Sequence, residues 1–143
     1  MDKIRTNFNV NIRFPEGGVY YTVLPTRGFK KLVCNRKAHE KCKSCKFPAV
    51  ATLVIPPGST IVRPEYGDGK SRTDEARVES IETLSGEIIT DDFVCHSPTH
   101  GKMIYKLGSV VKPKKDLDTN VQEICTSGIH FFFHKKEAMD YYY

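Results

Sequence analysis

The sequence predicts a mainly β protein: a single compact domain of short antiparallel strands that ends in a short C-terminal helix. Three observations predict this fold class. Apolar and polar residues alternate over Phe8–Phe14, which is the period of a strand with one buried face. Turn-forming residues such as Pro56-Pro57-Gly58 separate the apolar segments. Helical spacing is clear only after residue 133.

The N-terminal half is predicted to contain a hairpin followed by a buried strand. Pro15–Gly18 has the residues of a turn, so Phe8–Phe14 and Val19–Leu24 are expected to pair. Ala49–Ile55 is almost continuously apolar, which is typical of a strand buried on both faces. The following prolines end that strand because they cannot donate to a ladder, and Ser59–Arg63 resumes as a strand.

The central region alternates loops with shorter strands. Residues 66–75 are polar and contain glycine, which predicts a loop. Ala76–Leu84 predicts a strand whose change of period requires a bulge or a short helix. Residues 90–101 are interpreted as irregular, and Met103–Lys106 leads into a strand candidate at 108–113.

The C-terminus is predicted to form an aromatic strand and a helix. In Ile129–Phe133, alternation places Ile129, Phe131 and Phe133 on one face and the other two residues on the opposite face. His134–Tyr143 is compatible with a helix, in which Ala138, Tyr141 and Tyr142 lie on the face that packs against the strand. His134 and Glu137 have the spacing of a capping box.

Composition excludes several classes of protein. Hydrophobic residues make up 39% and charged residues 27% of the 143 residues, which excludes collagen, coiled coils and wholly disordered chains. No apolar run approaches the ~20 residues of a membrane helix. The N-terminus also lacks the apolar stretch of a secretory signal, so we expect folding in a cytosol-like compartment.

The positive charge is concentrated in residues 27–46. This segment has eight basic residues and one acid, Glu40, or +7, whereas the whole chain carries +5 and the remainder therefore −2. Such a block either remains a solvated loop or attracts phosphates or an acidic protein surface. The predicted interaction residues in it are Arg27, Lys30, Lys31, Arg36, Lys37, Lys41, Lys43 and Lys46.

The same segment holds a candidate zinc site, Cys34-x4-His39-x2-Cys42-x2-Cys45. Thiolates and imidazole are the ligands of tetrahedral Zn²⁺. All four lie within 12 residues, however, whereas common zinc folds use two separated pairs. Free or partly buried thiols are the favoured alternative. The odd count of five cysteines argues against a secreted disulfide framework.

No catalytic residue is predicted, and the protein is not expected to be an enzyme. Cys95, His96 and His100 combine thiol and imidazole groups, but neighbouring side chains on a strand point to opposite faces, so a polar loop is the preferred interpretation. His130 is expected to be a structural histidine hydrogen-bonded near the core.

Several C-terminal motifs carry a family resemblance. They run from Tyr105 to Pro113, through Cys125-x2-Gly-Ile-His-Phe-Phe132, to Glu137-Ala138-x2-Tyr141. Together with Leu53-x-Ile-Pro56 and Ala76-x-Val-x-Ser-Ile81, this pattern resembles an uncharacterised family of large DNA viruses and bacteriophages. The resemblance covers about residues 50–143 and extends more weakly over residues 19–49.

This resemblance implies a viral protein, and we expect a minor capsid protein of a large icosahedral DNA virus. Its partners would be the major capsid protein and other minor capsid proteins, in the virion capsid and, during assembly, in the host cytoplasm. The basic segment and the terminal anchor Tyr141, Tyr142 and Tyr143 would make the contacts. The alternative is a zinc-stabilised module that associates with nucleic acid through residues 27–46.

Overall fold

The computed structural model describes residues 4–7, 17–65, 69–98, 103–123 and 126–141. The strands are β1 (Ile4–Asn7), β2 (Gly18–Thr22), β3 (Thr26–Arg36), β4 (Phe47–Ile55), β5 (Thr60–Arg63), β6 (Ser71–Thr73), β7 (Ala76–Thr83), β8 (Phe93–His96), β9 (Val110–Val111) and β10 (Ile129–Phe131). The α-helix is α1 (Lys135–Asp140), and two 3-10 turns, Lys37–His39 and Lys43–Cys45, lie between β3 and β4.

The strands form two five-stranded sheets. One has the order β1-β2-β5-β6-β10 and the other β8-β3-β4-β7-β9. The neighbours pair antiparallel, except for the parallel pair of β1 and β2. The predicted fold class, mainly β with a short C-terminal helix, is confirmed. No helix in the described ranges has both the length and the apolar character needed to cross a membrane.

The long apolar strand β4 lies in the middle of its sheet, as its composition predicts. Alternate residues on its inner face, from Ala49 to Ile55, are fully buried in the core that the two sheets share. Its outer face is also covered, because Val50 packs with Phe132 and with Ala138 of α1. Burial on both faces therefore requires the helix as well as the opposite sheet.

The C-terminal strand and helix follow the predicted faces. Ile129, Phe131 and Phe133 contribute to the shared core, while Phe132 contributes to the cluster beneath α1. His134 is the residue before the helix, but its side chain makes no capping hydrogen bond. An ion pair between Lys135 and Glu82 of β7 also links the helix to the sheet.

The predicted loop at residues 66–75 is wrong in its second half, because Ser71–Thr73 forms the buried strand β6. A polar sequence is tolerated here because the side chains of Arg72 and Thr73 have hydrogen-bond partners. The Thr73 hydroxyl donates to the Thr60 carbonyl oxygen over 2.9 Å. The guanidinium of Arg72, a residue with 0% exposure, donates to the carbonyl oxygens of Asp118, Asn120 and Glu123.

The segment that Arg72 holds has its own local order. The backbone amide of Asn120 and the hydroxyl of Thr126 each donate to the Asp118 carboxylate over 2.9 Å. These two hydrogen bonds, the first more than the second, keep the pKa of Asp118 below its usual value. The carbonyl oxygens of this segment thus accept from Arg72, while the Asp118 carboxylate accepts from the nearby Asn120 amide and Thr126 hydroxyl.

Three further expectations can be compared with the structure. A bulge or a short helix was expected in β7, and the structure has the bulge, seen as a register shift against β4 at Thr52 and Leu53. The segment 90–101 was expected to be irregular but contains β8, because Phe93–His96 pairs with the end of β3. The first strand of the hairpin expected at 8–24 lies outside the described residues, and its second strand, β2, pairs with β5 and β1.

Candidate functional site

The cysteine-containing basic segment is the connection between β3 and β4, two strands that pair over nine residues. We define the basic loop as residues 36–46. It exposes five cations against one acid, Glu40, for a net charge of +4. These cations are Arg36, Lys37, Lys41, Lys43 and Lys46.

A buried side chain at the end of β3 holds the basic loop in shape. The Asn35 amide donates to the carbonyl oxygens of His39, over 2.7 Å, and Cys42, over 3.2 Å. The amide of Cys42 donates to the His39 carbonyl oxygen, and that of Cys45 to the Cys42 carbonyl oxygen. The loop is therefore an ordered pair of turns that projects its cations outward.

The other three predicted cations do not join this surface. Arg27 pairs with Glu79 over 3.3 Å on an exposed part of the sheet. Lys31 donates to the carbonyl oxygens of Met139 and Tyr141, over 3.0 and 2.9 Å, and so binds the C-terminal end of α1. The continuous basic segment of the sequence is thus divided by the alternation of β3.

Lys30 lies on the inner face of β3, between the two sheets. Its ammonium donates to the His130 carbonyl oxygen over 2.8 Å and lies 5.7 Å from the centre of the Tyr105 ring. Burial, with a smaller contribution from the charge of Lys70, lowers the pKa of Lys30 to about 7. The period-two pattern of Gly28, Lys30 and Leu32 would have indicated this position if the segment had been assigned to a strand.

The predicted tyrosine anchor is only partly described. Tyr141 packs against Phe132 of its own chain, with ring centres 5.4 Å apart. Its hydroxyl accepts a hydrogen bond from Lys70, a buried residue that the sequence did not single out. Tyr142 and Tyr143 lie outside the described residues.

Four of the five cysteines form two disulfides, contrary to the expectation of free thiols. Cys34 of β3 is bonded to Cys95, its partner in register on β8, and Cys42 is bonded to Cys45 within the basic loop. Cys125 lies outside the described residues. The odd count thus conceals two pairs, because strand register rather than spacing brings Cys34 to Cys95.

The predicted zinc ligands are distributed over these two disulfides. Cys34 is bonded to Cys95, whereas Cys42 and Cys45 are bonded to each other, and His39 is exposed on the basic loop. Across the described ranges, no three His, Cys, Asp or Glu side chains converge as a metal site would require. The four-ligand site stays a prediction for the reduced chain.

The remaining candidate groups are held in structural contacts. His96 uses its Nδ1 to donate to the Ser97 carbonyl oxygen over 2.8 Å. His130 is buried, and its Nε2 donates to the Thr126 carbonyl oxygen over 2.8 Å. Cys95 is consumed by its disulfide, and His100 lies outside the described residues.

Beside the basic loop, a cleft of about 170 Å³ opens next to β8. Its apolar walls include Ile89, Phe93 and Leu107. Ile104 also lines the cleft, and 54% of its surface is exposed. Lys37 of the basic loop also lines the cleft. Lys106 and Asp91 line it as well. A mainly apolar groove with charged residues at its border is suited to a side chain from another molecule. The cleft was not predicted from the sequence, because residues 90–101 were interpreted as irregular.

Similarity to known proteins extends over nearly the whole fold. The family of unknown function DUF5758 matches residues 10–138. The chain belongs to this family. The match includes the strands β2 and β3 and the basic loop, so the family covers more of the chain than the C-terminal motifs alone.

Proteins similar to the chain occur in Acanthamoeba polyphaga mimivirus. The uncharacterized proteins L796 and L223 are each 32% identical to the chain, over 94% and 92% of its length and 87% and 92% of theirs. The uncharacterized protein L812 is 34% identical over 91% of the chain and 89% of its own length. These relatives support a viral protein of a large DNA virus family. No solved structure matches the chain.

Proposed function

We propose that the protein is a structural component of a virus particle, a minor capsid protein that binds neighbouring capsid subunits through its surface. The observation that carries this proposal is the apolar cleft beside β8. Its partners are the major capsid protein and other minor capsid proteins. It occupies the virion capsid and, before assembly, the host cytoplasm.

The cleft supports binding because it offers apolar surface that a neighbour can cover. Ile104 exposes 54% of its surface beside the walls formed by Phe93 and Leu107. Burying such a side chain stabilises a contact by roughly 1.5–3 kcal/mol. Arg36 lies 5.2 Å from the centre of the Phe93 ring, so the basic loop borders the same surface and can contact an acidic rim.

Quantitative mass spectrometry of purified particles tests the location. We expect the protein at a fixed ratio to the major capsid protein, retained after nuclease and high-salt washing. Recovery only in the soluble fraction of infected cells would overturn the capsid assignment.

A matched pair of variants tests the cleft. Ile104→Asp should lower incorporation into particles at least about tenfold, the effect of losing one buried apolar contact and introducing a charge. Val110→Asp is the control, because Val110 is 55% exposed but does not line the cleft. Equal incorporation of both variants would show that the cleft makes no capsid contact.

The exposed cations of the basic loop favour a second candidate, association with nucleic acid. Contacts between lysines and phosphates give binding that weakens steeply with salt. We expect the affinity for single- or double-stranded DNA to fall with a log–log slope near the number of lysines engaged. A triple change of Lys41, Lys43 and Lys46 to Gln should reduce that slope. Salt-independent retention would contradict this candidate.

Zinc binding is part of the second proposal, the association with nucleic acid, and it applies to the reduced chain only. Zn²⁺ binds thiolates, so Cys34, Cys42 and Cys45 could serve as ligands only after both disulfides are reduced and Cys34, which is 0% exposed, leaves the core. Elemental analysis of protein reduced and dialysed against zinc should then give one equivalent, lost in the His39→Ala variant. An equal zinc content in that variant would contradict the four-ligand site.

A further inference from the structure

We propose that the Cys42–Cys45 disulfide is a redox-active site that exchanges with a dithiol of a partner protein. This function is independent of the capsid role. It is carried by the difference between this disulfide and the Cys34–Cys95 disulfide of the same chain.

The two disulfides differ in access. Cys34 and Cys95 are 0% and 2% exposed, so an incoming thiolate cannot reach either sulfur while the sheet is folded. Cys45 is exposed and Cys42 is half-buried. Because thiol–disulfide exchange requires direct attack of a thiolate on one sulfur, the folded chain offers only the disulfide of the basic loop for that attack among its described residues.

The two disulfides also differ in the chain segments that they link. Cys34–Cys95 joins two strands that are 61 residues apart in the chain, whereas Cys42–Cys45 spans a separation of three residues. The turn that contains Cys42 is held separately by Asn35, which donates to two of its carbonyl oxygens. The loop disulfide can therefore open and close without loss of the surrounding fold.

Exposure and a neighbouring hydroxyl define the direction of the step. The partner thiolate attacks Sγ of the exposed Cys45, the disulfide bond breaks, and the electron pair leaves on Sγ of Cys42. The Ser44 hydroxyl lies 3.5 Å from that sulfur and donates to it, which stabilises the charge that develops there. Protonation then gives the Cys42 thiol and a mixed disulfide through Cys45.

A second thiol of the partner completes the exchange. It attacks the mixed disulfide and releases Cys45. The partner dithiol has then lost two electrons and two protons to become a disulfide, while Cys42 and Cys45 have gained them. Lys41, Lys43 and Lys46 surround the site with positive charge, which favours a partner whose cysteines lie on an acidic surface.

Reduction by glutathione tests the proposal on the full-length protein. The oxidised chain is incubated with graded ratios of reduced to oxidised glutathione, free thiols are alkylated, and each disulfide is quantified by peptide mass spectrometry. We expect Cys42–Cys45 to open at least ~100-fold faster than Cys34–Cys95, with an unchanged circular dichroism spectrum. Simultaneous opening of both disulfides, or a loop disulfide that stays closed until the protein unfolds, would overturn it.

Single cysteine variants test which sulfur is attacked. Cys42→Ser leaves the exposed Cys45 thiol and should form a mixed disulfide with oxidised glutathione several-fold faster than Cys45→Ser. Ser44→Ala should slow reduction of the wild-type disulfide between about twofold and tenfold, the range of one hydrogen bond. Equal rates in these comparisons would overturn the assignment of Cys45 as the attacked sulfur and of Cys42 as the leaving group.

Discussion

Phe29 and Phe132 exchange two backbone hydrogen bonds of 2.7 Å each, which link a strand of one sheet to the end of a strand of the other. Phe29 is in β3, and Phe132 directly follows β10. The contact joins the end of β10 to β3 in the other sheet. The chain therefore continues from β10 across the outer face of β3, and α1 packs on that face. The position of the helix thus depends on a backbone contact that no side-chain pattern specifies.

Gly28 makes this close approach feasible. A Cβ atom at residue 28 would lie 2.5 Å from Cδ2 of Phe131, closer than nonbonded atoms allow. We therefore expect Gly28→Ala to lower the free energy of unfolding by about 1–3 kcal/mol through overpacking. Urea denaturation measures this loss.

A double-mutant cycle provides the control for that steric contact. Adding Phe131→Leu removes part of the ring, so the penalty of Gly28→Ala should be smaller in the Phe131→Leu background than in the wild type. Additive losses would show that the contact between these two residues is not the cause.

Arg72 is expected to be essential for stability. Its guanidinium is the common donor to three carbonyl oxygens of the segment 118–123, and these lose their partner when it is removed. Arg72→Met should cost about 3–5 kcal/mol in thermal or denaturant unfolding and should increase hydrogen exchange in that segment. The exposed Arg77 is the matched control, and Arg77→Met should change stability by less than about 0.5 kcal/mol. Similar effects of the two variants would contradict the assigned role.

Lys30 should make stability depend on pH. Its pKa is lowered from the usual 10.5 to about 7, so between these values the unfolded chain binds a proton that the folded chain has released. The free energy of unfolding therefore rises with pH across this window, by at most about 1.4 kcal/mol per pH unit, and it loses this contribution as pH falls toward 7.

The Lys30→Met variant isolates this contribution in denaturation curves from pH 6.5 to about 10.5. It should be more stable than the wild type near pH 7, and the difference should shrink as pH rises. Lys31→Met retains the buried lysine and so retains the pH dependence, although it removes the hydrogen bonds to the end of α1. A constant difference between Lys30→Met and wild type would disprove the explanation.

The two disulfides should differ in their contribution to stability. Chain-entropy reasoning gives about 4 kcal/mol for the separation of 61 residues and about 2 kcal/mol for the separation of three. The Cys34→Ala/Cys95→Ala double variant should accordingly lose more stability than Cys42→Ala/Cys45→Ala, by a comparison of denaturation midpoints. The reverse order would show that Cys42–Cys45 is the main structural disulfide.

The sequence alone predicted the mainly β fold class, the buried strand β4, an irregularity in β7 in the form of a bulge or a short helix, and the two faces of the strand 129–133. These features depend on local periodicity, because alternate residues of a strand face opposite sides wherever the strand lies. It missed β6 and β8, because the hydrogen bonds of Arg72 and the pairing of Phe93–His96 with β3 come from distant segments.

The basic residues and the cysteines show the same difference between what local sequence predicts and what tertiary pairing determines. Composition locates the basic block. The pairing of strand β3 places Lys30 on the inner face and Lys31 against α1, so the exposed cations of the block are mainly those of residues 36–46. Cys42 and Cys45 are close by spacing alone, whereas Cys34 and Cys95 meet through register. Residues far apart in the chain become neighbours only through tertiary pairing, which local sequence patterns do not encode.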